Sequence, residues 1–182
     1  MLKVGITGNI ASGKSQVEKI ISDCGYKVFD LDETTHSLFE NSETLKNKLK
    51  LEFDTFERSE VSKIVFDDKN KLKTLENIIH PMIKDEMFKI FDENKGQDKI
   101  FISGALLFET GFNKFFDKII FVEADKNLRL ERLMKRNNLS EIEALKRINA
   151  QKNNKHFADI LIQNNGTIDE LKQKVKEALK LL

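Results

Sequence analysis

Residues 8–15 read GNIASGKS, a Gly-x-x-x-x-Gly-Lys-Ser spacing in which each residue type has a chemical reason. Gly8 and Gly13 let the main chain turn and approach oxygen atoms closely. The amides of Asn9, Ile10, Ala11, Ser12, Lys14, Ser15 and Gln16 then belong to a loop that ends at the positive end of a helix, a cradle for phosphate oxygens. The Lys14 ammonium suits the β- and γ-phosphates, and the Ser15 hydroxyl suits magnesium. A chance match to this pattern in a chain of 182 residues is on the order of 1%. The segment therefore reads as a site for a nucleoside triphosphate, with ATP and Mg2+ as the expected pair. It does not identify the acceptor.

Two carboxylates follow on the segment VFDLD. Asp30 and Asp32 are two residues apart, so at a strand end they point to the same side. Ligands of open parallel sheets sit beyond the carboxyl ends of the strands. Either aspartate could take a proton from an attacking hydroxyl or hold magnesium through water. The alternative is that Asp32 merely caps the helix that begins ETTHSLF, and local sequence leaves the two readings open. The chain has five arginines, Arg58, Arg129, Arg132, Arg136 and Arg147, against 26 lysines. Arginine offers a planar fork for phosphate that lysine lacks. Arg129, Arg132 and Arg136 are spaced i, i+3, i+7 and share a helix face, which suits a lid over a triphosphate or, alternatively, a solvated surface. His36, His80 and His156 show no metal-ligand spacing, and Cys24 reads as a small core residue.

These groups need elements to hold them. Residues 3–7, 26–30, 99–103, 118–123 and 159–163 are apolar runs of strand length. Helices are expected from Lys14 to about Cys24 with Gly25 as the stop, over 126–136 and 140–150, and from Thr167 to the end. Ser140 with Glu143, and Thr167 with Glu170, are capping boxes. Residues 33–95 are mostly helical in pattern, with Pro81 breaking or restarting a helix. Strands separated by helices imply an α/β fold with a five-stranded parallel sheet covered on both faces. The long helical stretch is too large for a crossover and reads as a subdomain.

Bulk properties exclude other classes. The formal net charge is +1, far from the cation surplus that general nucleic-acid binding needs. No apolar run is long enough to span a membrane. The start MLKVGITG lacks the features of a signal peptide, and one cysteine cannot form an intrachain disulfide. The cytoplasm and a monomer are the expectations.

Taken in order, the motifs resemble the dephospho-CoA kinase family nearly end to end. GITGNIASGKS resembles its phosphate loop, and DLDETTH, Asp30 to His36, its Asp-Ala-Asp-x-x-x-His segment. Arg58 with Val61, Val65 and Phe66 resembles a family helix, and His80-Pro81 its His-Pro pair. LLFE, Leu106 to Glu109, is similar to the core of its Pro-Leu-Leu-Phe-Glu segment. Arg132-Leu133 with Arg136, Arg147-Ile148 with Gln151, and Ala158-Asp159 with Asn164 and Gly166 complete the set. The resemblance implies a P-loop nucleotide-kinase-like three-layer fold. A helical CoA-binding insertion is expected at about 33–95 and a lid at about 126–156. It implies transfer of the ATP γ-phosphoryl to the ribose 3′-hydroxyl of dephospho-CoA. It also favours Asp32 as the base, with Lys14, Arg132 and Arg136 catalytic and Arg136 on the nucleotide. Asp32, His36, Arg58, His80, Leu107, Glu109 and Arg147 are the implied substrate contacts.

The chain departs from the family at Asn9 and Ala11, where glycine is usual, at Ala105 in place of proline, and at Arg129 in place of glutamine. It has Ser103 and Gly104 where the strand often carries an acid, so magnesium would lean on Ser15, Asp32 and water. The 45–58 segment is several residues short. A kinase of another small hydroxyl compound, and a nucleotide-binding regulator without turnover, are the competing readings.

Overall fold

The computed structural model describes residues 1–66 and 68–182. Two compact units are present: Met1–Phe29 with Gly96–Leu182, and Asp30–Lys95.

The first unit is built on a sheet. Its strands are β1 (Leu2–Gly8), β2 (Val28–Asp30), β3 (Lys99–Ser103), β4 (Lys118–Glu123) and β5 (Ile160–Gln163), ordered β2-β3-β1-β4-β5. β1 pairs in parallel with β3 and β4, and β4 with β5. β1, β3 and β4 are near-continuous apolar runs because both faces of a parallel sheet are covered. Val4, Ile6, Phe101, Ile120, Val122 and Ile162 form a core with Val17, Ile20 and Ile21 of α1 (Lys14–Asp23) and Leu171, Val175, Ala178 and Leu179 of α8 (Ile168–Lys180). α8 begins at the expected capping box, Thr167 with Glu170. A second, smaller cluster unites α6 (Lys126–Asn137) and α7 (Glu141–Ala150) through Leu133, Ala144 and Ile148. α7 begins at its own capping box, Ser140 with Glu143.

Two aspartates fix the strand starts by the same reciprocal device. Asp117 accepts from the Lys3 amide (2.8 Å) while its own amide donates to the Lys3 carbonyl (2.8 Å). Asp159 accepts from the Ile119 amide (2.8 Å), its amide donates to the Ile119 carbonyl (3.0 Å), and Lys118 pairs with its carboxylate (3.0 Å).

The second unit is helical: α2 (Leu31–Asn41), α3 (Glu43–Phe53), α4 (Arg58–Phe66) and α5 (Lys69–Glu93). α5 is its hub, packing against the other three and burying Ile79, Ile83, Met87 and Phe91. It runs unbroken through Pro81, against the expected break. Proline gives up one i→i−4 bond, and the buried stripe on either side holds the helix together. Cys24 is exposed rather than in the core, because α1 ends just before it and its apolar face is already filled by Val17, Ile20 and Ile21.

Burial works against the charge on Asp159, but the Ile119 amide and Lys118 outweigh it and hold the carboxyl below its ordinary value. A carboxyl with a depressed folded-state pKa adds stability above its unfolded value and loses it as pH falls through the folded one. Asp159→Asn is therefore expected to lower the melting temperature at pH 7, with the gap to wild type closing as pH falls from about 4 toward 2. Thermal melts across that range check this; a gap independent of pH would contradict it.

Candidate active site: the phosphate loop and its anchors

β1 ends at Gly8 and α1 begins at Lys14, so residues 9–13 form the loop. Gly8 is required by closeness: a Cβ there would collide with the Val122 carbonyl and stand 2.9 Å from Ser12 Oγ. Gly13 is required by both conformation (φ 97°) and the adjoining Asn164 side chain. The other left-handed residue in the loop is Ala11 (φ 60°). The departure that bears on backbone strain is therefore Ala11 and not Asn9. An alanine there costs on the order of 1 kcal/mol relative to glycine. Ala11 and Ile10 pack against the α6–α7 cluster, and that burial offsets the strain.

The loop's own polar groups are tied down from outside. Asn9 donates to the Val122 carbonyl (3.3 Å), and Ser12 N–H to the Asn9 carbonyl (3.0 Å). Ile10 donates to Gln151 Oε1 (2.6 Å). The Ser12 carbonyl accepts from Asn164 Nδ2 (2.8 Å) and, at 3.5 Å, from Arg132. Arg132 also donates to the Asn164 carbonyl (3.1 Å). Asn164 is buried, and its main-chain N–H donates to the Glu123 carbonyl (2.8 Å). In the first turn of α1, Gln16 and Val17 both donate to the Gly13 carbonyl (3.0 and 3.2 Å). Among the described residues, the amides of Ala11, Gly13 and Ser15 have no acceptor within the chain. These are the donors expected to face a phosphate. The Ser12 hydroxyl is buried without a partner. Lys14 Nζ donates to Glu18 Oε1 (2.7 Å) and to Ser103 Oγ at the end of β3 (3.1 Å).

The three arginines of α6 do not converge. Arg129 turns back to the Ala124 carbonyl (3.0 Å) beside Glu123, Arg132 binds the loop and Asn164, and Arg136 is exposed and donates to Asn137 (2.9 Å). Shared helical phase brings Cα atoms onto one face, but each guanidinium goes to a different acceptor. Glu123 itself meets a burial penalty, outweighed by hydrogen bonds from Lys155 and Gln163, and its carboxyl is held below its ordinary value.

Beyond the loop, Glu109 is exposed and accepts from Asn154 (2.9 Å), and Arg147 is exposed on α7. Leu107 is only 1% exposed, and its carbonyl accepts from Asn113 (3.0 Å). Its side chain belongs to the core. Asp32, His36, Arg58 and His80 lie in the helical unit. Asp30, the last residue of β2, is the N-cap of α2 and accepts from the Asp32 amide (2.8 Å). Asp32 is thus neither the cap nor a strand residue: the strand stops at 30, and the same-side argument does not reach it. His36 lies 3.2 Å from Glu40 on an exposed face, and the Arg58 guanidinium sits 5.7 Å from the centre of the Phe39 ring. His80 is half-buried on α5.

Asn164, Gln151, Glu18 and Ser103 were not assigned to the site from sequence. Asn164 and Gln151 carried a signal, in the Asn-x-Gly and Arg-Ile-x-x-Gln patterns. Glu18 and Ser103 carried none.

A loop of this build, rising from the central strand of a parallel sheet ordered 2-3-1-4-5, places the chain in the class of phosphate-loop kinases. The family model described as dephospho-CoA kinase matches residues 2–170. A dephospho-CoA kinase of Fusobacterium nucleatum is 35% identical over 183 residues, covering 95% of this chain and 94% of its own. A crystal structure from Thermus thermophilus matches with a TM-score of 0.86 at 31% identity, covering 100% of this chain and 97% of its own. A dephospho-CoA kinase from Campylobacter jejuni matches with a TM-score of 0.72 at 26% identity, covering 98% and 95%. The chain belongs to the dephospho-CoA kinase family.

Asn164→Ala removes the donor that holds the Ser12 carbonyl in a buried position. It is expected to cost about 1–3 kcal/mol of stability and to weaken ATP binding several-fold. Denaturant melts and calorimetric titration check both; unchanged nucleotide affinity would show that the loop does not need this anchor.

Proposed function

We propose that this chain transfers the γ-phosphoryl group of ATP to the ribose 3′-hydroxyl of dephospho-CoA, giving CoA and ADP. The observation that carries the reading is the phosphate loop with amides that, among the described residues, have no acceptor within the chain and a lysine at the start of the next helix, in a chain matched by the family over residues 2–170. The loop amides and Lys14 hold the phosphates, and Arg132 keeps the loop in shape. Asp32 receives or orients the 3′-hydroxyl. The support for this is the resemblance of Asp30 to His36 to the family's Asp-x-Asp segment, and that Asp30 rather than Asp32 is the N-cap. Catalysis then rests mainly on positioning and on charge stabilisation at the moving phosphoryl group.

The donor set suits Mg2+, a hard cation that binds oxygen and usually completes its sphere with substrate phosphates and water. The Ser15 hydroxyl is exposed in the first turn of α1, and Asp32 supplies a carboxylate. When bound, the ion would neutralise charge on the β- and γ-phosphates. His36, Arg58, His80, Glu109 and Arg147 are proposed to bind the acceptor, and Arg136 the nucleotide. The reaction is assigned to the cytoplasm, in keeping with an exposed single thiol at Cys24.

Lys14→Ala is expected to lower kcat by at least about two orders of magnitude with the fold intact. Asp32→Asn is expected to lower kcat comparably while ATP affinity changes little. Because Asp32 is not the cap, the variant is expected to stay folded. Steady-state assays of ADP release with dephospho-CoA, with parallel melts, check both. Near-normal turnover in either variant would remove that residue from the mechanism.

A further inference from the structure

Lysine at the first position of a helix stands against the helix dipole, which disfavours a cation there. The more stabilising order of an i,i+4 pair places the acid first and the lysine second. In α1 the order is reversed: Lys14 is the first residue, Glu18 follows four later, and the first turn carries no acid. The pair is nonetheless close, at 2.7 Å, with both side chains largely shielded (15% and 14% exposed). Such a pair is poorly placed to stabilise the helix and well placed to govern the lysine.

Ser103 adds a second hold on the same ammonium (3.1 Å). It is fully buried and pairs in register with Ile6, two residues before the end of β1. The groups that hold Lys14 thus include one on its own helix and one on the neighbouring strand.

We propose that Glu18 is a positioning residue for Lys14, and that phosphate oxygens bind the ammonium in competition with its carboxylate. The inference rests on the reading that Lys14 binds nucleotide phosphates. Entry of ATP then exchanges one ionic partner for another, and nucleotide affinity is set below what the loop would reach with an unopposed lysine. The same exchange in reverse eases departure of ADP, so Glu18 acts chiefly on dissociation rate, where most affinity tuning lies.

The test is a double-mutant cycle on ATP and ADP affinity, measured by calorimetry with the dissociation rates by stopped flow. It uses wild type, Glu18→Gln, Lys14→Ala and the double variant. Glutamine keeps the length and helix preference of the side chain, and Glu18→Ala serves if the Gln variant melts early. Glu18→Gln is expected to bind ADP about 5–10-fold more tightly with correspondingly slower release, and to gain less than about 2-fold when Lys14 is already alanine. A Glu18→Gln variant with unchanged or weaker binding would overturn the proposal. So would an equal gain in both backgrounds, which would mean that Glu18 simply repels phosphate directly. If Lys14→Ala binds nucleotide as wild type does, the reading of the loop itself fails. A general structural role for Glu18 would change melting and leave the coupling at zero.

Discussion

The site depends on turning the carbonyls of a short loop away from the place where phosphate oxygens bind. A peptide carbonyl left facing an anion would oppose binding, and one left buried without a donor would be costly. The Ser12 carbonyl is the critical one, and the donors on it come from far along the chain: Asn164 on the segment after β5 and Arg132 on α6. Gln151, at the end of α7, holds Ile10 in the same way. The loop is therefore shaped by the second half of the chain as much as by its own glycines.

This explains why α6, α7 and the segment after β5 belong to the phosphate site. The cluster of Leu133, Ala144 and Ile148 takes Ile10 and Ala11 against it, so the α6–α7 pair is packed onto the loop by apolar as well as polar contacts. A motion of that pair would be felt directly at the loop. The left-handed Ala11 belongs to the same arrangement, since its methyl contacts the pair that a glycine would leave untouched.

What was legible in the sequence follows a physical divide. Elements governed by local interactions were read closely: the capping boxes at Ser140 and Thr167, the apolar strands, and the stop of α1 before Gly25. The loop was legible because its chemistry is packed into eight consecutive residues. The partners of that loop were not, since Asn164 and Gln151 reach it across 152 and 141 positions. Their short motifs mark them, but nothing local says that they bind the loop. Asp30 and Asp32 show the same limit at short range, because two aspartates two residues apart both suit an N-cap and the fold gives that place to Asp30. Pro81 shows tertiary packing overriding a local signal, a proline inside a helix that a buried stripe holds in place.

The central claim is that the loop delivers a γ-phosphoryl group to one particular hydroxyl. The most direct measurement incubates the protein with ATP, Mg2+ and dephospho-CoA and follows the product by phosphorus NMR together with ADP release. The account predicts one ADP per product molecule and a new phosphomonoester on the ribose 3′-oxygen. ADP release that is indifferent to dephospho-CoA, or a phosphate found on any other oxygen, would contradict it.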